Sequence, residues 1–208
     1  MNPPDPREDL RTRLERVLRL DFARDIPAYA DDVLSAVGRG IEPGDDDSAL
    51  RRRFCPLWVV LAGGRGTRID RSGRLNKNLD IWFGSANTLQ LSVRYLVGDI
   101  PPIIVVNPDT ATRLLRTDAA VDTAQQPGVL DPRLIDPDAL SRYIVPGCAV
   151  TVQTVADGTG GALRAAQDAL ATSDAEFVAV AFGDEPFIDR RLPAETWAAH
   201  VISGADAT

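Results

Sequence analysis

The sequence predicts an α/β fold with a mainly parallel sheet, preceded by a helical appendage. Uninterrupted apolar runs at residues 57–62 and 102–106 are typical of strands that are buried on both faces of a sheet. Segments with apolar residues at helical spacing alternate with these runs, which indicates parallel strands joined by crossover helices. Apolar residues make up 44% of the 208-residue chain, which is enough for a packed core.

The first 56 residues are predicted to form the helical appendage. Apolar residues at helical spacing share one face of a first helix: Leu10, Leu14, Val17 and Leu18. A second helix is predicted over residues 27–37, followed by a linker of Glu, Pro, Gly and Asp at residues 42–47. No catalytic motif lies in residues 1–56, which leaves capping of the core, pairing with another subunit or a regulatory contact as their roles.

Residues 57–208 are predicted to form the sheet domain. Beyond the first strand and the strand at 102–106, the predicted elements are helices at 87–97, 109–117 and 159–171 and strands at 149–155 and 177–182. The stretch of residues 118–146 contains four prolines. We therefore predict that this stretch is an insertion or a mobile flap rather than part of the core.

Charge and composition exclude several classes of protein. The formal net charge of −7 gives no electrostatic reason to expect nucleic-acid binding. No apolar run approaches the ~18 residues that a membrane span needs, and the N-terminus lacks an apolar signal core, so we expect a cytoplasmic protein. Cys55 and Cys148 show no CxxC spacing, so neither a zinc site nor a disulfide framework is predicted.

A glycine-rich loop with the sequence LAGGRGTR, residues 61–68, follows the first predicted strand. Glycines in this position let the backbone approach a ligand closely and direct N–H groups at anionic oxygens. The loop matches neither the Walker pattern nor the GxGxxG dinucleotide fingerprint. Arg68 adds a positive charge that suits a polyphosphate. The alternative is a plain glycine turn with a surface arginine.

Lys77 lies nine residues beyond Arg68 and is the only lysine among 23 basic residues. Because arginine is used everywhere else, the retained lysine favours a position that needs a compact point charge rather than a planar fork. Chance is the alternative. Two cations that flank a glycine-rich loop strengthen the prediction of a polyphosphate site.

Two further loops follow predicted strands. Gln153 precedes residues 154–162, TVADGTGGA, and its amide offers a donor and an acceptor that suit the edge of a pyrimidine base. Gly158 and Thr159 lie where a predicted helix begins, with free N–H groups. Asp184 follows the last strand and a glycine, where a carboxylate near phosphates is a natural Mg²⁺ ligand. A helix or turn cap is the alternative in both loops.

Together the three segments resemble the sugar-1-phosphate nucleotidyltransferases, and among them the bacterial N-acetylglucosamine-1-phosphate uridylyltransferases most closely. LAGGRGTR with Lys77 downstream looks like the signature loop of that family. QTVADGTGGA is similar to its Q-x4-GTGxA segment, and FGDEPFI is similar to its YGDxPLI segment. The resemblance covers about residues 57–189 and implies the Rossmann-like, GT-A-like sheet of these nucleotidyltransferases.

The resemblance implies a role for each matching residue. The implied nucleotide-binding residues are Leu61, Ala62, Gly63, Gly64, Gln153, Gly158 and Thr159. The first four would wrap the nucleotide with backbone contacts. Gln153 would read the uracil or thymine edge, and Gly158 and Thr159 would complete the base pocket. Arg68 and Lys77 would be the catalytic residues that hold the triphosphate, and Asp184 would bind Mg²⁺.

The reaction implied is attack of a sugar-1-phosphate on a nucleoside triphosphate, with UTP favoured over dTTP, and release of pyrophosphate. Such transfer needs positioning and charge neutralisation rather than a protein nucleophile. In the family, a following half supplies the sugar-phosphate pocket, so we expect residues 57–208 to be the nucleotide-binding half of an incomplete domain. A non-catalytic nucleotide-binding module and a cytidylyltransferase with a non-sugar acceptor are the alternatives. The N-terminal helices are a candidate surface for a homo-oligomer.

Overall fold

A computed structural model of the chain describes residues 6–42, 44–64, 75–119 and 121–208. The strands in these residues are β1 (Leu57–Leu61), β2 (Trp82–Phe83), β3 (Ala86–Asn87), β4 (Ile103–Val106), β5 (Gly128–Val129), β6 (Ala149–Val152) and β7 (Val178–Phe182). They form a five-stranded sheet of order β5-β6-β4-β1-β7 and a separate β2–β3 hairpin. All pairings in the larger sheet are parallel except that of β5, which confirms the predicted α/β fold.

Helices surround this sheet. They are α1 (Pro6–Leu18), α2 (Phe22–Asp25), α3 (Ala30–Gly40), α4 (Asp47–Phe54), α5 (Thr88–Val93), α6 (Pro108–Leu114), α7 (Val121–Ala124), α8 (Pro137–Tyr143), α9 (Gly158–Ala165), α10 (Gln167–Ala171) and α11 (Arg191–Ser203). None of the helices in the described parts of the chain has the length and apolar character needed to cross a membrane.

The central strand β1 is apolar because both of its faces are covered. Val59 and Val60 point to opposite faces, and each is 0% exposed. Val59 pairs with Ile103 of β4 on one side and with Val180 of β7 on the other. The chain passes from β1 outward to β4 and β6 and then returns to β7, so the direction of winding reverses beside β1. Ligands of open α/β sheets bind at such a switch point.

The four N-terminal helices share a hydrophobic core with the sheet domain. Phe22 and Leu50 from these helices are buried in one cluster with Trp58 of β1 and Trp197 of α11. The ring centroids of Phe22 and Trp197 lie 6.4 Å apart. Burial of these large side chains contributes about 2 kcal/mol or more for each one. The helices are therefore held against the sheet domain by apolar packing.

A buried carboxylate adds an ionic link to this packing. Asp25 at the end of α2 is 1% exposed and accepts hydrogen bonds from the guanidinium groups of Arg24 and Arg190 at 2.9–3.2 Å. Burial acts to raise the pKa of Asp25, but the two arginines and the backbone N–H of Asp21 lower it to about 2. The link ties α2 to the residue that precedes α11.

Parts of the stretch of residues 118–146 pack into the core, so the prediction that it lies outside the core was wrong. Strand β5 pairs antiparallel with β6, and Leu130, Ile135 and Ile144 are at most 7% exposed. Pro132 opens a 3-10 helix and Pro137 opens α8, at helix starts where proline costs no hydrogen bond. Two of the four prolines therefore mark helix starts.

Smaller differences concern helix bounds and the β2–β3 hairpin. Helix α3 begins at Ala30, later than predicted, and α4 begins at Asp47, where Asp46 caps it and ends the predicted linker. The hairpin has no strand-length apolar run to predict it, and Gly84 turns it with φ +67°. Its Phe83 ring meets the ring of Phe187 with centroids 5.0 Å apart.

Candidate functional site

The carboxyl ends of the four parallel strands bring polar loops together. The backbone N–H of Ala62, after β1, donates to Val105 O of β4 at 2.8 Å. The backbone N–H of Gln153, after β6, donates to Val106 O of β4, also at 2.8 Å. On the other side, Gly183 N–H donates to Leu61 O at 3.0 Å. The loops after β1, β6 and β7 therefore start from the same edge of the sheet, as a common site requires.

The glycine turn after β1 packs closely against the loop after β6. A Cβ atom at Gly63 would lie 3.0 Å from Oε1 of Gln153 and 3.6 Å from the backbone N of Asn107. A Cβ atom at Gly64 would lie 3.6 Å from Cε of Lys77. The structure thus brings three predicted site regions into contact: the glycine turn, Gln153 and Lys77.

Lys77 and Asp184 form an ion pair although 107 residues separate them in the chain. The ammonium Nζ of Lys77 donates to Oδ2 of Asp184. The two side chains are 24% and 35% exposed, so both remain open to a ligand. A single cation and a single anion, both at the carboxyl edge, could bind a phosphate oxygen and a metal ion respectively.

Gly183 allows Asp184 to reach this position. A Cβ atom at residue 183 would lie 2.9 Å from Cδ1 of Leu89 and 3.0 Å from Cβ of Ala62. These distances are shorter than ordinary van der Waals contacts, so a larger residue would displace the turn that carries Asp184. The glycine of FGDEPFI is therefore explained by close packing against the loop after β1.

Gln153 is folded onto its own loop. Its Nε2 donates to Oδ1 of Asp157 at 3.0 Å and to the carbonyl of Gly158 at 3.1 Å. Its Oε1 faces Gly63. The amide thus links the loop after β6 to the glycine turn, and its hydrogen-bond donors are used within the protein.

Gly158 and Thr159 form the first turn of α9, and both are exposed. Gly158 has φ +85°, which favours glycine. The N-cap residue Asp157 makes no side-chain capping hydrogen bond, and its carboxylate lies over Gly161, where it occupies the place of a Cβ atom. The exposed start of α9 lies on the same loop as Gln153.

Arg68 lies outside the described residues, and its relation to Lys77 and Asp184 stays a prediction. The remaining sequence-predicted site residues are all described. The structure brings Leu61, Ala62, Gly63, Gly64, Lys77, Gln153 and Asp184 to one edge of the sheet, with Gly158 linked to them through Gln153.

Sequence analysis missed two asparagines that hold the glycine turn. Nδ2 of Asn78 donates to the carbonyl of Ala62 at 2.9 Å, and Nδ2 of Asn107 donates to the carbonyl of Gly63 at 3.2 Å. Asn78 is 2% exposed and Asn107 is 8% exposed. The signal that could have found Asn107 is an amide directly after a buried strand. Asn78 follows the only lysine and gave no signal of its own.

Hydrogen bonds through Asp80 connect the segment that carries Lys77 to helix α6. The backbone N–H of Asn76 donates to Asp80 at 2.8 Å, and Asp80 accepts two hydrogen bonds from Arg113 of α6 at 2.6 and 3.0 Å. The hydrogen bonds from Arg113 lower the pKa of Asp80 below its usual value, against the effect of burial. Lys77 therefore projects from a turn that α6 holds in place.

The two cysteines take no part in this site. Cys55 and Cys148 are both free and buried. Burial raises the pKa of Cys148 to about 11 and also raises that of Cys55. A thiol with a raised pKa is a poor nucleophile at neutral pH.

The donor set at the edge of the sheet was tested for its fit to Mg²⁺. No cluster of three or more His, Cys, Asp or Glu residues is present in the parts of the chain that the structure describes. Mg²⁺ does not need one, because it keeps several waters and commonly binds one or two carboxylates together with substrate phosphates. The partly exposed carboxylate of Asp184 fits that mode of binding.

Comparison with known families identifies the fold and its chemistry. The model of the family described as "MobA-like NTP transferase domain" matches residues 58–208, which is more than half of the chain. The chain belongs to this family. As a MobA-like NTP transferase domain it is a nucleotidyltransferase, and its substrate is a nucleoside triphosphate. No curated protein and no solved structure matches the chain.

The matched region contains the whole candidate site. It begins one residue after the start of β1 and includes the glycine turn, the segment of Lys77, the loop of Gln153 and the loop of Asp184. The nucleotidyltransferase assignment and the edge of the sheet where polar side chains converge therefore concern the same part of the molecule.

Proposed function

We propose that this domain transfers a nucleotidyl group from a nucleoside triphosphate, with UTP favoured, to a sugar-1-phosphate, with Mg²⁺ as the metal. The observation that carries the proposal is the contact of Lys77 with Asp184 beside the glycine turn. Within one small region it provides a positive charge for phosphates, a carboxylate for a metal ion and a glycine backbone that a ligand can approach closely. These are the parts that phosphoryl-transfer chemistry uses for positioning and charge neutralisation.

In the proposed reaction an oxygen of the sugar-1-phosphate attacks the α-phosphorus of the triphosphate. A new P–O bond forms, the bond from the α-phosphorus to the bridging oxygen of the β-phosphate breaks, and pyrophosphate leaves with the electron pair. Lys77 would release Asp184 and donate to the phosphates, where its charge offsets the negative charge that develops on the leaving group. Arg68 would add a second cation. No covalent protein intermediate is required.

Asp184 would hold Mg²⁺ through its carboxylate oxygens. Bound there, Mg²⁺ supplies charge neutralisation and orientation of the phosphates. The contact with Lys77 holds the Asp184 side chain at the edge of the sheet before substrate arrives. When the ammonium group moves to the phosphates, the carboxylate oxygen that it leaves becomes open to the metal ion.

The base and ribose would lie over the glycine turn. The backbone of residues 61–64 would wrap the nucleoside, with Gln153, Gly158 and Thr159 at the base. Gln153 now donates to Asp157 and Gly158, so it would have to exchange at least one of these bonds for a bond to the base. Exchange costs little, since one hydrogen bond replaces another.

The test is pyrophosphate release by the whole protein, with UTP, dTTP, CTP, GTP and ATP each paired with a panel of sugar-1-phosphates and Mg²⁺. We expect turnover that is highest with UTP and that is lost in Asp184→Asn. Turnover with CTP and a phosphoalcohol would instead favour the cytidylyltransferase. Tight nucleotide binding without turnover for any pair would overturn the enzyme proposal and leave a nucleotide-binding module.

The roles of the two segments are part of the proposal. Residues 57–208 would be the nucleotide-binding part, and residues 1–56 would be a helical extension that supports it or contacts a second subunit. Sedimentation of the whole protein and of an Arg7→Glu, Arg11→Glu variant of α1 tests the second role. A monomer at all concentrations would exclude the homo-oligomer.

A further inference from the structure

Asn78 makes an unusual set of contacts for a buried amide. Its Nδ2 donates to Ala62 O, whereas its Oδ1 has no hydrogen-bond partner among the described residues. A buried acceptor without a partner costs stability. Packing alone therefore does not explain an amide at this position. Among the described residues, the one hydrogen bond of its side chain is to the glycine turn.

The direction of that bond fixes the direction of the next N–H. In a trans peptide the C=O and N–H groups point in opposite directions, and no cis peptide bond is present in the described residues. When Asn78 draws the carbonyl of Ala62 toward the interior, the N–H of Gly63 must point away from it. Asn107 acts in the same way on the carbonyl of Gly63, so it directs the N–H of Gly64.

We propose that Asn78 is a positioning residue that aims the backbone N–H of Gly63 at an acceptor oxygen of the bound nucleoside triphosphate. Successive N–H groups that point out of a turn form a concave site for acceptor atoms. The proposal rests on the nucleotide-binding function proposed above. It assigns to Asn78 no contact with substrate, only the orientation of a backbone group that makes one.

Two substitutions test this role. Asn78→Asp keeps the shape of the side chain but removes the donor to Ala62 O, and Asn78→Leu removes both polar atoms. We expect each to weaken binding of the nucleotide by 10-fold or more in calorimetric titration. Asn78→Leu is expected to unfold at nearly the same temperature as the wild type. The wild type buries one unpaired acceptor, Oδ1 of Asn78, and the variant would also bury one, the carbonyl oxygen of Ala62.

Asn87 provides the matched control. It is 0% exposed, and its Nδ2 donates to a backbone carbonyl, that of Tyr143, at 2.9 Å. Asn87→Asp therefore removes the same kind of bond without touching the glycine turn. We expect Asn87→Asp to bind the nucleotide as the wild type does.

A spectroscopic measurement separates orientation from general damage. Ala62-Gly63 is the only Ala-Gly pair in the sequence, so ¹³C-carbonyl alanine with ¹⁵N-glycine labelling gives a single N–H signal, that of Gly63. In the wild type this signal should shift downfield when the nucleotide binds. In both Asn78 variants the shift should be lost at saturating nucleotide, and in Asn87→Asp it should remain.

The outcomes are distinct. Unchanged affinity and an unchanged Gly63 shift in the Asn78 variants would overturn the positioning role and leave the proposed function intact. An equal loss in Asn87→Asp would also overturn it, because the effect would then be one of stability. Failure of the wild type to bind any of ATP, CTP, GTP, UTP and dTTP would overturn the proposed function and this inference together.

Discussion

Asp25 and Asp184 both join distant parts of the chain, and their surroundings are opposite. Asp25 is 1% exposed and accepts from two arginines and a backbone N–H. Asp184 is 35% exposed and, among the described residues, pairs with Lys77. A carboxylate has about four acceptor positions. Those of Asp25 are occupied by the protein, whereas those of Asp184 are largely open, so the first carboxylate stabilises the fold and the second is available to a ligand.

The two asparagines Asn87 and Asn78 repeat the contrast. Asn87 uses both polar atoms, because its Oδ1 caps α5 at Gln90 N–H and its Nδ2 donates to Tyr143 O. Asn78 uses one. The fully paired amide of Asn87 supports the fold, whereas the Nδ2 of Asn78 bonds to the glycine turn of the candidate site.

The largest expected effect is a loss of activity without a loss of stability when the ion pair between Lys77 and Asp184 is removed. Lys77→Met should lower kcat/KM for nucleotidyl transfer by roughly 100-fold or more, because in the proposed reaction its charge stabilises the leaving group. The melting temperature should change by about 4 °C or less, since a partly exposed ion pair contributes at most about 1 kcal/mol. Steady-state kinetics and calorimetry measure the two effects. Arg133→Gln, which removes an exposed pair with Asp131 outside the loops of the candidate site, is the control and should change neither.

Removal of the buried Asp25, which pairs with Arg24 and Arg190, should have the opposite effect: a loss of stability without a loss of activity. Asp25→Asn should lower the free energy of unfolding by about 3 kcal/mol, because Arg24 and Arg190 lose their common buried partner. The kcat/KM of the protein that remains folded should be unchanged. Urea unfolding and activity assays of the same preparation check this. A loss of activity with normal stability would show that the comparison between the two carboxylates is mistaken.

Acid should remove the contribution of Asp25 to the free energy of unfolding in a defined range of pH. The pKa of Asp25 is lowered to about 2 in the folded protein, so its contribution to stability is complete above the unfolded pKa of about 4. This contribution, about 2 kcal/mol, is lost as the pH falls from about 4 to about 2. The measurement is urea unfolding across this range. Asp25→Asn should show a smaller pH dependence, and an identical slope in the two proteins would contradict the assignment.

The smallest effects are expected at two glycines, Gly183 in the candidate site and Gly38 in the N-terminal helices. Gly183→Ala should displace the Asp184 turn, lower kcat about tenfold and cost about 1 kcal/mol of stability, because the new methyl group meets Leu89 and Ala62. Gly38→Ala in α3 has its nearest contact at 3.9 Å and should raise stability by up to about 1 kcal/mol with no change in kcat. Equal effects of both substitutions on kcat would remove the distinction between the regions.

The sequence predicted the sheet well because the strands carry a strong local signal. β1 and β4 are buried on both faces, so nearly every residue in them is apolar, and their bounds were predicted to within one residue. The region of residues 118–146 was misjudged because its prolines were taken as breaks. Pro132 and Pro137 instead open helical turns whose N-caps are Asp131 and Asp136, a pattern that requires both residues to be considered together.

The candidate site was predictable where a residue type implies its own chemistry. A glycine loop, a lone lysine and a carboxylate after a strand indicate a phosphate site by their residue types and order alone. Asn107 follows a buried strand and could have been found in this way, but Asn78 could not, because its importance lies in which carbonyl it contacts. That contact depends on the packing of a turn against two strands, which a single sequence does not specify.

Lys77 is the only lysine in the chain, and this makes the site chemically addressable. A reagent that acylates amines has Lys77 and the α-amino group as its targets. The Nζ atom that the reagent must reach donates to Asp184, so a ligand that changes this contact should change the rate of acylation. The mass added to one peptide over time would therefore report occupancy of the site without any labelled substrate.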